Sequence, residues 1–146
     1  MSKKVLVMCT GNSCRSIIGE ALINAFLDEV SAYSCGVKPN GVVNSNAKKV
    51  LQNHNIWDDS YHPKNFDEVL HIDFDLVVTV CDNAKETCPM FPNVANSGSE
   101  GNIPRKPVKK IHIGFVDPDG KEYSEFEKTY KEIKKRLLPR VEEALN

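Results

Sequence analysis

An α/β fold is what this sequence predicts: a four-stranded parallel sheet with helices on both faces, in three layers. Two observations carry that expectation. Val-rich apolar runs at residues 3–8 and 76–80 lack the alternation of a half-wet strand, as strands covered on both faces require. Between the strand candidates lie stretches with apolar residues at helical spacing, so crossover helices join strands that must run parallel. In such sheets ligands bind at the carboxyl ends of the strands.

The elements follow in order. The run at residues 3–8 ends at a Gly-containing turn, and from Ser16 a helical pattern opens in which Ile17, Ile18, Ala21, Leu22, Ala25 and Phe26 share a face opposite Glu20, Asn24 and Asp28. A second short strand is expected at residues 32–34, closed by Gly36, Pro39 and Gly41. Asn44 is suited to cap a helix running to about His54. A brief helix is expected at residues 65–70, a third strand at 76–80 and a fourth at 111–115. A final helix spans residues 124–145, with Pro139 expected to kink or interrupt it. The stretch 89–110, with its Pro, Gly, Asn and Ser and the basic residues Arg105, Lys106, Lys109 and Lys110, reads as a mobile surface loop.

A length of 146 residues with 40% hydrophobic content is enough for one core, so residues 1–146 are expected to form a single domain, and a monomer. Nineteen basic and twenty acidic residues leave a formal charge of -1, which gives no positive field to hold nucleic acid or an anionic membrane. Any anion must therefore be gripped locally. The apolar run near the N-terminus is far too short for a signal core or a spanning helix, so a cytoplasmic protein is expected. Five cysteines, Cys9, Cys14, Cys35, Cys81 and Cys88, are an odd number for a reducing compartment, which argues against a static disulfide framework.

The segment Cys9-Thr10-Gly11-Asn12-Ser13-Cys14-Arg15-Ser16 joins the first strand to the first helix. Backbone N–H groups converging at a helix N-terminus bind anions, and they also favour a thiolate placed among them. Cys9 is thereby the candidate nucleophile. Arg15, six residues on, offers a planar fork for two oxygens of a tetrahedral anion and a charge for its transition state. Gly11 and Asn12 tolerate the left-handed backbone angles that a loop wrapped around an anion needs. Ser16 can cap the helix or donate to the Cys9 sulfur. A cysteine and an arginine six apart also arise by chance; strand before, helix after and Gly-Asn-Ser between favour the functional reading.

A leaving oxygen needs a proton, and Asp117, just past the fourth strand candidate, is the best donor on the right edge of the sheet. An Asp-Pro turn without catalytic meaning is the plainer alternative. Cys81 ends the third strand candidate and Cys88 follows across a polar segment. Their spacing is not that of a zinc knuckle, which leaves an opening and closing dithiol or two inert thiols. Cys35 reads as structural, Cys14 as a support for Cys9 at most, and His54, His62, His71 and His112 as surface or packing residues.

Taken together, these segments resemble the thioredoxin-coupled arsenate reductases built on the low-molecular-weight protein tyrosine phosphatase fold. The resemblance covers nearly the whole chain: the Cys9 to Ser16 loop, Tyr33-Ser34-Cys35-Gly36, Asp75-Leu76-Val77-Val78-Thr79-Val80-Cys81, Cys88-Pro89 and Gly114-Phe115-Val116-Asp117-Pro118. Only the first and last of these are expected in plain phosphatases as well. The resemblance implies that Cys9 attacks arsenate, that Cys81 then attacks Cys9 to release arsenite and leave a transient Cys9–Cys81 disulfide, and that Cys88 displaces Cys9. The resulting Cys81–Cys88 disulfide would be reduced by thioredoxin or a related thiol donor. Asp119 stands where the phosphatases often carry a tyrosine, which speaks for the reductase; the alternative is a tyrosine phosphatase working through a cysteinyl-phosphate. The 89–110 stretch is longer than expected for such reductases, and Cys35 replaces a small residue. Some members hold a potassium ion beside the loop; Asn12, Glu20 and Ser34 match its ligands, whereas Pro63 and Asn65 do not match the rest, and no bound cofactor is expected.

Overall fold

A computed structural model describes residues 3–9, 14–36, 41–69, 71–80, 108–118 and 120–146. Four parallel strands lie in the order β2-β1-β3-β4: β1 (Lys3–Cys9), β2 (Val30–Gly36), β3 (Leu76–Thr79) and β4 (Lys109–His112). The central strand β1 is buried on both faces. Val5, Val7 and Cys9 join a large cluster with the helices, while Leu6 and Met8 join a smaller one with Cys35, Val69, Phe74 and Val77. That two-sided burial is why β1 and β3 read as unbroken apolar runs.

Three helices cover the first face: α1 (Arg15–Phe26), α2 (Ser45–Asn53) and α3 (Tyr123–Leu145). Asn44 caps α2 as its sequence position suggests, its side chain accepting from the amides of Asn46 at 2.8 Å and Ala47 at 3.3 Å. On α3, Phe126, Tyr130, Ile133, Leu137 and Val141 form the buried stripe. The second face is covered by the segment after a single 3-10 turn, Phe66–Glu68, where a brief helix was expected; the Asn65 amide donates to Glu68 there at 3.3 Å.

Two expectations need adjustment. Of the kink or interruption expected at Pro139, the interruption does not occur: α3 is one helix through that residue. Leu137 and Val141, both fully buried on either side of it, hold the backbone helical where the missing amide would otherwise loosen it. The fourth strand begins at Lys109 and ends at His112, so Lys109 and Lys110 belong to an element, and Ile113, Gly114 and Phe115 do not. As an edge strand paired only with β3, β4 shows its polar residues to solvent, and its apolar signal is correspondingly weak. Ile113 and Phe115 are buried as loop side chains instead. Residues 89–107 of the expected loop lie outside the described residues.

From β1 the chain crosses to β2 on one side, and later to β3 on the other, so β1 is where the strand order reverses. The crevice at the carboxyl end of such a strand is where open α/β sheets bind ligands. The register brings Cys9 level with Gly36, and Met8 level with Thr79. Cys9 thus ends the central strand at the switch point.

Candidate active site

Cys9 is the last residue of β1 and Arg15 the first of α1, with Cys14 as its N-cap. Thr10, Gly11, Asn12 and Ser13, expected to wrap an oxyanion, lie outside the described residues, as do Cys81, Cys88 and Asp119. Cys9 and Cys14 are buried, as are Arg15 and Ser16. Ser16 makes no cap; it sits one residue inside α1, its hydroxyl 2.9 Å from the Cys9 sulfur in a hydrogen bond. Of the two roles open to it from sequence, contact with the sulfur is the one found.

Arg15 is 3% exposed. Such a charge inside a protein is retained only where partners meet it. One guanidinium nitrogen donates to the Phe115 carbonyl at 3.1 Å, and the other lies 3.5 Å from the Asp117 carboxylate. The Phe115 carbonyl is brought there because the sheet ladder continues past the strands: the Ile113 amide donates to Thr79 at 2.9 Å and the Phe115 amide to Val80 at 3.3 Å. Asp117, two residues on, is 46% exposed, open to solvent on one side and to Arg15 on the other. The structure therefore joins the residues named from sequence in two pairs, Cys9 with Ser16 and Arg15 with Asp117, the two held by consecutive residues of α1.

Ser34 of β2 donates to the buried Glu20 carboxylate of α1 at 2.6 Å. Burial pushes the Glu20 carboxyl above its ordinary value, opposed chiefly by the ammonium of Lys64 and then by Ser34 and His62. Lys64 lies on a segment tied to the end of β2, its carbonyl accepting from the Gly36 amide at 2.9 Å. Of the residues matching a potassium site, Asn12 lies outside the described residues, and Glu20 and Ser34 already face each other within the field of a lysine. Among the described residues no group of three or more His, Cys, Asp or Glu side chains could hold a metal. Cys35 is fully buried on the far face, and desolvation pushes its thiol up to about 12, with Lys64 opposing. That keeps it protonated. His54 pairs with Glu127 at 3.1 Å, His62 lies 2.8 Å from the Ser60 carbonyl and His112 2.7 Å from the Thr79 hydroxyl, in keeping with packing and surface roles.

Sequence reading missed two features. Lys64 stands out only once folding sets it near Glu20. Gly19, inside α1, has no side chain where Val7 and Leu137 approach it closely; a glycine within a helical pattern was the available signal.

A cysteine at the switch point of a parallel sheet, with a buried arginine at the head of the following helix paired to a carboxylate, lies on the edge where open α/β sheets bind their ligands. The chain belongs to the low molecular weight phosphotyrosine protein phosphatase family, whose model matches residues 4–145. Within it, the chain is 37% identical over 136 residues to an arsenate reductase of Bacillus cereus (strain 03BB102), covering 92% of this chain and 91% of that one. The crystal structure of arsenate reductase from Archaeoglobus fulgidus DSM 4304 superposes with a TM-score of 0.72 at 32% identity, covering 94% of this chain and 98% of that chain. The fold is shared as well with a thioredoxin-dependent arsenate reductase of Corynebacterium glutamicum, TM-score 0.67 at 20% identity, over 99% of this chain and 62% of that one. Among the described residues no helix is long and apolar enough to cross a membrane.

Proposed function

We propose that this protein is an arsenate reductase in which Cys9 is the nucleophile, Arg15 the oxyanion clamp and Asp117 the proton donor. The observation that carries the reading is the Arg15 side chain, buried at the head of α1 and held between the Phe115 carbonyl and Asp117, beside a cysteine bonded to Ser16. An oxyanion taken by that fork and by the loop residues Thr10, Gly11, Asn12, Ser13, Cys14 and Ser16 lies against the Cys9 sulfur. The Ser16 hydroxyl then donates to the thiolate. Attack forms a sulfur–arsenic bond, and Asp117 protonates the departing oxygen so that water leaves.

Reduction needs two electrons, which come from thiols. Cys81 attacks the Cys9 sulfur, the sulfur–arsenic bond breaks with its electron pair going to arsenic, and arsenite departs from a Cys9–Cys81 disulfide. Cys88 attacks Cys81 and frees Cys9. The Cys81–Cys88 disulfide is passed to an external thioredoxin-like donor, a dependence known by name for the Corynebacterium glutamicum protein. A single domain of residues 1–146, working as a cytoplasmic monomer, completes the reading.

What favours the reductase over a tyrosine phosphatase is Cys81 and Cys88 together with 37% identity to an arsenate reductase along 92% of the chain. A phosphatase needs only Cys9, Arg15 and Asp117. The test is NADPH oxidation by the purified protein with arsenate, thioredoxin and thioredoxin reductase, beside hydrolysis of para-nitrophenyl phosphate. Arsenate-dependent turnover lost in Cys9→Ser and Cys88→Ser supports the reductase. Hydrolysis that survives in Cys88→Ser, with no NADPH consumption in the wild type, overturns it in favour of the phosphatase.

A further inference from the structure

The segment that carries Asp117 follows β4 as irregular backbone, yet it is fastened from α3 by one side chain. The Arg136 guanidinium donates to the Gly114 carbonyl at 3.3 Å and lies over the Phe115 ring, 4.8 Å from its centre. It is oriented in turn by Glu132, one helical turn earlier, at 2.9 Å. Phe115 is the residue whose carbonyl accepts from Arg15. Arg136 therefore grips the peptide immediately before the carbonyl that anchors Arg15, and covers the ring of the same residue. Asp117 stands two residues further along.

We propose that Arg136 is a positioning residue for the reaction, holding the 114–117 segment so that the Asp117 carboxyl is presented beside Arg15. This rests on the reading of Asp117 as proton donor. Arg136 and Glu132 are 45% and 52% exposed, and ion pairs so placed add little to global stability. A guanidinium that is at once planar, charged and multiply donating can stack on a ring and bond a carbonyl from one position. Its loss removes the hold from α3 and leaves the ladder bonds of Ile113 and Phe115, their buried side chains and Arg15 itself to keep the segment in place. The cost falls on geometry at the site, where small misplacements of a catalytic group lower rates steeply.

The experiment compares wild type, Arg136→Met, Arg136→Lys, Asp117→Asn and the double variant Arg136→Met with Asp117→Asn. Single-turnover thiol loss is followed on mixing the reduced protein with sodium arsenate. General acids contribute about 100-fold to 10,000-fold, and partial misplacement of one forfeits part of that, so Arg136→Met is expected to slow the saturated rate about tenfold. Half-saturating arsenate and the thermal midpoint should hardly move, and Arg136→Lys should recover most of the rate. In the Asp117→Asn background Arg136→Met should add no further loss. An additive loss there, or an unchanged rate in Arg136→Met, overturns the proposal. Amide hydrogen exchange separates this from failure of the underlying reading. If the wild type does not turn over arsenate, or if Asp117→Asn is fully active, the functional assignment has failed, and Arg136 is then judged on exchange alone. Faster exchange at Ile113 and Phe115 in Arg136→Met, with Ile133 and Leu137 unchanged, supports its hold on the segment, and unchanged exchange refutes it.

Discussion

Replacing Gly19 by alanine tests how tightly the helix that bears Arg15 is seated on the sheet. A methyl built at Gly19 meets the Val7 Cγ1 and the Leu137 Cδ2 at 3.2 Å each, inside ordinary contact distance. Both neighbours are fully buried. Val7 lies in the central strand and is stiff about χ1, so it cannot turn aside; Leu137 or the whole of α1 must shift by a few tenths of an ångström. Overpacking of this kind costs about 1–3 kcal/mol, and exchanging glycine for alanine inside a helix returns about 1 kcal/mol. The net expectation is a loss of up to about 2 kcal/mol, or up to roughly 6 °C in the thermal midpoint for a domain of this size. Circular dichroism melts and urea titrations read it directly. Leu137→Ala alone should cost about 2–5 kcal/mol through its cavity, and in that background Gly19→Ala should turn neutral or stabilising. Because Arg15 begins the same helix, Gly19→Ala should also raise the arsenate concentration needed for half-maximal rate. A melting point at or above that of the wild type, with the same increment in both backgrounds, would show that α1 has room to spare and that this contact does not seat it.

The remaining expectations concern charge. Arg15→Lys keeps the positive charge but cannot reach the Phe115 carbonyl and Asp117 together; losing one charged hydrogen bond of about 1.5–3 kcal/mol should lower kcat/KM for arsenate about 10-fold to 150-fold. An unchanged kcat/KM would mean that a point charge suffices and that the fork geometry is incidental. For Glu20, burial raises the native carboxyl above its ordinary value of 4.5. Its contribution to stability is therefore fully present below that ordinary value and is lost as pH rises through the native one. Glu20→Gln can still accept from Ser34 and has no charge to desolvate, so denaturant titrations should find it more stable than the wild type at pH 7, the gap closing as pH falls toward 4.5. A variant less stable at neutral pH would show that the field of Lys64 outweighs burial.

What could be read without coordinates was whatever local chemistry imposes. Unbroken Val-rich runs mark β1 and β3 because strands covered on both faces need no polar alternation. Asn44 marks the start of α2 because its short side chain satisfies amides that the helix cannot. Cys9, Arg15 and Ser16 were legible because a loop between a strand and a helix concentrates its amides at one point. The rest depended on distance through space. Edge strand β4 hides its signal in solvent-facing lysines, and the passage of α3 through Pro139 reflects packing by Leu137 and Val141.

The sequence by itself determined the fold class and pointed to Cys9 as the candidate nucleophile, because both readings follow from residue types and spacing along a few neighbouring positions; the strand order, and with it the switch point at β1, came from the fold. Only the tertiary structure decided that Ser16 bonds the sulfur of Cys9, that Ser34 meets the buried Glu20, and that Arg136 reaches across from α3 to the segment meeting Arg15. Arg15 and the Phe115 carbonyl are 100 positions apart in the chain. No local rule couples such distant residues; they meet because parallel strands must all end on the same edge of the sheet, and that edge is where the chemistry is gathered.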